Sequence, residues 1–247
     1  MKLTKCIGII SYLPDIPWVR QVRMVRITSL FKQLNELWPD IDILVIAQNW
    51  QKYQPPEIKN KVIKFNYDKA LGILSARKIL RQEFLKLNYD YIIMLDDDIK
   101  IIAPGNSSAE YIELLDAHPT GFCFRRPFTN LEYDHSNEHP YGCGQFNLCA
   151  ISRFIYEKEP LVNIDIDKNE GFEDSIYACL LYHKYPEYDF EPPKELICDI
   201  FNYITPTTWG GHKTKKDLDL AMYNTWRIQT YIANHKELPQ ELLNERT

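Results

Sequence analysis

Tyr91-Ile92-Ile93-Met94-Leu95-Asp96-Asp97-Asp98 is the stretch on which the fold turns. Five apolar residues in unbroken succession have no polar face to give to water, so the segment predicts a strand buried on both sides, as in a parallel sheet covered by helices. The run ends abruptly in three carboxylates. Side chains of an extended segment alternate, which predicts Asp96 and Asp98 on one side and Asp97 on the other. Adjacent carboxylates at the end of a buried strand repel one another, and water relieves that only weakly. A divalent cation relieves it better, and hard oxygen ligands with a few waters suit Mg2+ or Mn2+, above all where a diphosphate completes the shell. The plainer alternative is a solvated acidic turn, which the apolar strand in front argues against.

Working outward, Cys6 to Ser11 is another short apolar run, broken at Tyr12-Leu13-Pro14-Asp15. After Pro17, apolar residues at Val19, Val22, Met24 or Val25, Leu30, Leu34 and Leu37 recur at helical spacing until Trp38-Pro39 stops them. Ile41–Ala47 and Lys61–Phe65 read as strands. From Gly72, the positions Ile73, Ala76, Ile79, Leu80, Phe84 and Leu87 mark one face of a helix leading to Tyr91. The order strand, helix, strand, strand, helix, strand predicts an α/β fold whose mainly parallel sheet carries helices on both faces. Ligands of such sheets bind beyond the carboxyl ends of the strands, where the acidic triplet falls.

Beyond the triplet the pattern is less regular. Tyr111–Ala117 and Asp174–His183 read as helices, Gly121–Arg126 and Gln145–Ser152 as strands, and Leu218–Asn234 as a helical tail. The polar segment Tyr133–Gly144, with His135 and His139, reads as a substrate loop. No repeat, low-complexity tract or linker divides the chain. All 247 residues are expected to form one domain, 1–100 binding the nucleotide and 101–247 the acceptor. The 45% apolar and 26% charged composition excludes disorder, collagen and coiled coil. A net charge of -5 lacks the basic footprint of a nucleic-acid binder. The basic start is followed by only a short apolar run without a cleavage site, and no stretch is long enough to span a bilayer, so a cytoplasmic protein is expected. Six cysteines without a CxxC knuckle point to buried free thiols.

Several other residues carry potential chemistry. Arg77 lies near the start of a helix, where the dipole and a guanidinium both favour phosphate; it also reads as an ordinary surface charge. Glu173-Asp174 fits either the acidic first turn of a helix or a carboxylate that takes a proton from an attacking hydroxyl. His212, between Gly210-Gly211 and Lys213, Lys215 and Lys216, suits a metal or phosphate, although a lone His is more often structural. The same lysines fit a solvated face or a contact with anionic lipid. His135, His139 and His183 have no spacing partner.

Taken in order, Gly72-Ile-Leu-Ser-Ala-Arg77, Asp96-Asp97-Asp98, Gly171-Phe-Glu-Asp174 and Trp209-Gly-Gly-His212 resemble the landmarks of GT-A glycosyltransferases, family-2-like and bacterial: the G…AR segment, the DxD signature, the ED motif and a late loop bearing His. The resemblance covers most of the chain. It implies a Rossmann-like GT-A fold and a metal-dependent glycosyltransferase using a nucleotide-diphosphate sugar, UDP-linked and inverting, with Mn2+ or Mg2+ as cofactor. Asp98, Asp96 and His212 would hold the metal. Ser11, Tyr12, Asp68, Arg77, Asp96, Asp97, Lys213 and the glycines Gly142 and Gly144 would bind the donor, the last two also fitting a plain hairpin turn. Asp174, or Glu173, would be the base. The acceptor would be a glycan or lipid-linked saccharide of surface polysaccharide synthesis, with peripheral contact at the inner face of the membrane. The rivals are a non-catalytic sugar-binding module on this scaffold, a sugar nucleotidyltransferase, which lacks its Gly-rich loop after Ile10, and a dehalogenase-type phosphatase, which wants Thr or Val where Lys100 stands.

Overall fold

The computed structural model describes residues 2–125, 145–159, 173–200 and 215–239. Its main sheet has six strands in the order β3-β2-β1-β4-β7-β6. β1 (Lys5–Tyr12), β2 (Asp42–Gln48), β3 (Val62–Tyr67) and β4 (Tyr91–Asp96) run parallel, whereas β7 (Gln145–Ser152) runs antiparallel to both β4 and β6 (Phe122–Arg125). The sheet is therefore mixed and mainly parallel.

Period-2 alternation divides the strand residues between two cores. Ile7, Ile9, Ile43, Val45, Ile93 and Leu95 pack with α1 (Pro17–Leu37) and α3 (Ser107–Ala117). Their neighbours Cys6, Leu44, Ile46, Ile92 and Met94 pack on the opposite face with α2 (Ile73–Lys86), α4 (Arg153–Lys158) and α5 (Glu173–Lys184). A last helix, α6 (Lys215–His235), packs on α5 through Ile228 and Ile232. Cys6, Cys123, Cys149, Cys179 and Cys198 are buried free thiols, as expected. Among the described residues, no helix is long and apolar enough to cross a membrane.

Several departures from expectation have local causes. In α1 the apolar stripe runs through half-buried Met24, while Val25 faces water at 59% exposure. Ile73, at the first turn of α2, is exposed rather than packed. A strand not foreseen, β5 (Ile99–Ile102), follows the triplet directly and pairs antiparallel with β8 (Ile197–Ile200) in a small second sheet. Both are four residues long and meet only across about a hundred residues of chain, beyond the reach of local pattern.

Two glycines set the seat of α2. Gly72, its N-cap, has φ +79°, which an L side chain adopts only with strain. In β1, a Cβ on Gly8 would come within 3.0 Å of Leu80 Cδ2 and 2.6 Å of Ile92 Cδ1, so a hydrogen there lets α2 lie close on the sheet. The far end of α2 is held by Arg153, whose guanidinium donates to the carbonyls of Phe84 (3.3 Å), Leu85 (3.1 Å), Leu87 and Tyr89 (2.9 Å). These include carbonyls that a helix C-terminus leaves unpaired.

Candidate active site

Strand β4 ends at Asp96, and Asp97-Asp98 form the turn into β5. Contacts of the first two carboxylates follow the alternation. Asp96 follows the parity of Ile92 and Met94 toward α2, where its Oδ1 lies 3.5 Å from Arg77 Nη2. Arg77 is 3% exposed and Asp96 39%, so a buried cation faces a half-open carboxylate. The reading of Arg77 as a surface charge is excluded, and its expected nearness to the triplet is observed.

Asp97 follows Leu95 toward α1. Its Oδ2 accepts from Ser11 Oγ at 2.5 Å and its Oδ1 from Arg23 Nη1 at 3.3 Å. Ser11 Oγ in turn accepts from Trp50 Nε1 at 3.2 Å, and Trp50 stands edge-on to Tyr53 with centroids 4.9 Å apart. Burial raises the Asp97 carboxyl above the ordinary carboxylate range, while Arg23 and Ser11 pull it down. Asp98 lies in the turn just beyond the strand, half-buried. The turn ends the extended geometry on which alternation depends. Burial first, then Asp97, push its carboxyl up.

The neighbouring strand ends are tied together as a rim. Asn49, at φ 58°, donates from Nδ2 to Leu13 O and to Asp15 Oδ1, each at 2.8 Å. Arg20 donates to Leu13 O (3.2 Å) and Asn49 O (2.9 Å), and Leu71 N donates to Gln48 Oε1 (2.7 Å). Tyr12 is half-buried and Asp68 exposed just beyond β3, both at this edge. Ser11 is buried, with its hydroxyl committed to Asp97 and Trp50.

Asp174 sits in the first turn of α5, half-buried, and its Oδ1 accepts from Ser175 N at 2.7 Å. The Cys149 thiol of β7 is raised chiefly by burial. Glu173 begins the same helix. His135, His139, Gly142, Gly144, Trp209, His212 and Lys213 lie outside the described residues. Ile200, the last described residue before the stretch that holds His212, pairs with Ile99, next to Asp98.

Arg23, Arg26, Trp50 and Tyr53 belong to this site and went unrecognised in the sequence. Spacing of Arg20, Arg23 and Arg26 at i, i+3 and i+6 was the available signal for the first two, because it sets them on one side of α1. Among the described residues, no group of three His, Cys, Asp or Glu side chains forms a complete metal cage. Asp96 and Asp98 nonetheless offer hard carboxylate oxygens at a strand end, a donor set that fits a divalent cation whose shell is completed by phosphate and water.

No protein-family model matches the sequence, and no curated protein does. Among solved structures, the chain is similar to the mannosyltransferase PcManGT from Pyrobaculum calidifontis, determined in complex with GDP-Man and Mn2+. The TM-score is 0.54 at 12% identity, over 98% of this chain and 68% of that one. A mycobacterial protein (TM-score 0.43, 12% identity, 80% and 65% covered) and the 4-diphosphocytidyl-2C-methyl-D-erythritol synthase from Anaerococcus prevotii DSM 20548 (0.38, 10%, 91% and 99%) are more distant. At these identities the likeness is one of fold, and only the first is close enough to weigh. Sheet order, strand directions and flanking helices together give this chain the Rossmann-like GT-A fold.

Proposed function

We propose that the chain is a metal-dependent glycosyltransferase that moves a sugar from a nucleotide-diphosphate donor, UDP-linked, to a glycan or lipid-linked saccharide with inversion. One observation carries this reading: on a GT-A sheet, the central strand delivers a half-open Asp96 and the turn carboxylate Asp98 to the carboxyl edge, with the guanidinium of Arg77 beside Asp96. Asp96 and Asp98, with His212, hold the cation. Mn2+ or Mg2+, when bound, supplies positive charge against the leaving diphosphate.

The chain's own residues do the rest. Arg77 faces the phosphates from the α2 side. Tyr12 and Asp68, at the ends of β1 and β3, take the base and ribose, while Lys213, Gly142 and Gly144 complete the donor site. Asp174, rather than Glu173, accepts the proton of the attacking hydroxyl; its place in the first turn of a helix favours the ionised form a base requires. Peripheral attachment to the membrane belongs to the same reading, as the means of reaching a lipid-linked acceptor.

The test is hydrolysis and transfer from a panel of UDP- and GDP-sugars, with Mn2+ and after chelation, for the natural chain and Asp98→Asn. Metal-dependent turnover that collapses in Asp98→Asn while the melting temperature holds is the expected result. Release of pyrophosphate from a nucleoside triphosphate and a sugar phosphate would establish a nucleotidyltransferase instead. Sugar binding without turnover would leave a binding module.

A further inference from the structure

We infer that Asp97, the middle carboxylate of the triplet, is a positioning residue rather than a ligand: it clamps the β4–β5 turn to β1, α1 and the end of β2, and thereby aims Asp96 and Asp98. This rests on the reading of Asp96 and Asp98 as metal ligands. Three features carry it. Both Asp97 oxygens are committed inside the protein, Oδ2 to the Ser11 hydroxyl at 2.5 Å and Oδ1 to Arg23 at 3.3 Å, and the residue is 8% exposed. Its partners are themselves held: Trp50 Nε1 donates to Ser11 Oγ, and the Trp50 ring is wedged between Phe31 (6.5 Å) and Tyr53 (4.9 Å). Tyr53 is fixed in turn by the Thr28 hydroxyl at 2.8 Å.

The chain of contacts therefore runs from a buried aromatic cluster, through one hydroxyl, to the middle carboxylate of the triplet. Arg77 holds Asp96 from the α2 side, and a side chain anchored at the middle residue restrains the turn that carries Asp98. Arg23 adds a cation whose partner is not a ligand, so the metal need not displace it.

Trp50→Phe tests this away from the proposed metal ligands: it removes the indole N–H together with the five-membered ring, and Ser11→Ala removes the same relay at its hydroxyl with almost no change of volume. Two readouts are taken on the full chain. Deuterium exchange of the amides of residues 97–99 is measured without metal, and Mn2+ affinity is followed by loss of the free-ion paramagnetic signal, with UDP or GDP present in separate arms. Loss of one net hydrogen bond from the relay is expected to speed local exchange and weaken Mn2+ by about fivefold. Ser11→Ala should act in the same direction and more strongly, and Asp97→Asn should weaken Mn2+ without abolishing it, whereas Asp98→Asn abolishes it. Trp50→Phe should lower the melting temperature because the smaller ring leaves a void at a buried position, whereas Ser11→Ala should leave it near that of the natural chain.

Unchanged exchange at 97–99 in both Trp50→Phe and Ser11→Ala would overturn the clamp. So would loss of Mn2+ binding in Asp97→Asn as complete as in Asp98→Asn, because Asp97 would then be a ligand. If the natural chain binds no Mn2+, the metal reading fails, while the exchange measurement still decides whether Asp97 anchors the turn.

Discussion

Replacing Arg77 by Met removes a buried cation while keeping an unbranched side chain of similar length, so the cavity that Ala would leave is avoided. Arg77 Nη2 and Asp96 Oδ1 are 3.5 Å apart, an attraction of about 5 kcal/mol at an effective dielectric constant near 20. That figure is gross. Asp96 is 39% exposed and regains water once the partner is gone, which discounts the ~3–5 kcal/mol typical of breaking a fully buried pair to about 2 kcal/mol. For a domain of this size, 2 kcal/mol corresponds to roughly 4–8 °C in melting temperature. Arg77→Lys keeps the charge and should retain at least half of the stability. Urea denaturation of Arg77→Met, Asp96→Asn and the double variant isolates the pair, with an expected coupling of ~1–2 kcal/mol. In the folded protein at 25 °C, Arg77→Met should also weaken donor binding by about tenfold or more, because a charge-assisted bond to phosphate is lost. A coupling within about 0.5 kcal/mol of zero would refute the electrostatic reasoning. An unchanged donor affinity would remove Arg77 from the phosphate site.

Arg153→Lys should destabilise the chain by ~2 kcal/mol in urea denaturation, since an ammonium does not reproduce a fork that reaches four carbonyls at the end of α2; a loss below about 0.5 kcal/mol would show those bonds to be idle. Burial alone would raise Asp116, but hydrogen bonds from Lys5 (2.6 Å) and Leu3 N (2.7 Å) hold it below its ordinary value. A depressed folded-state pKa means stability that is present above the unfolded carboxylate pKa and lost as pH falls through the folded one. Asp116→Asn should therefore flatten the acid limb of a stability-versus-pH curve below pH ~4, and an identical limb would contradict the assignment. Asp174→Asn should abolish sugar transfer while Mn2+ and donor binding persist and stability changes by ~1 kcal/mol or less; a wild-type rate, or a product that keeps the donor's anomeric configuration, would disprove its role as base.

What the sequence made legible follows from how far each signal reaches. The run Tyr91–Leu95 announces a doubly buried strand because every residue in it is apolar, and the carboxylates mark its end without reference to any other part of the chain. Long helices whose starts are marked by Pro or Gly, α1 from Pro17 and α2 after Gly72, are local in the same sense. β5 is not, because Ile99-Lys100-Ile101-Ile102 alternates only briefly and its partner Ile197–Ile200 is distant in the chain. α4 is six residues long and begins on the side chain of Ser152, too short for a period to register. The same limit applies at the site. Period 2 told Asp96 from Asp97, but the direction of Asp98 depends on a turn, and alternation ends where the strand does. Nor did any local pattern join Arg23 to Asp97 across 74 residues, or Trp50 to Ser11 across 39. Three carboxylates in a row suggested a cation because their repulsion had no visible relief. The fold supplies part of that relief from both faces of the sheet, with Arg77 facing Asp96 and Arg23 facing Asp97. Arg23 is spent on Asp97, the carboxylate that contacts the α1 side, and under the proposed function the cation would act on the half-open Asp96 and on Asp98.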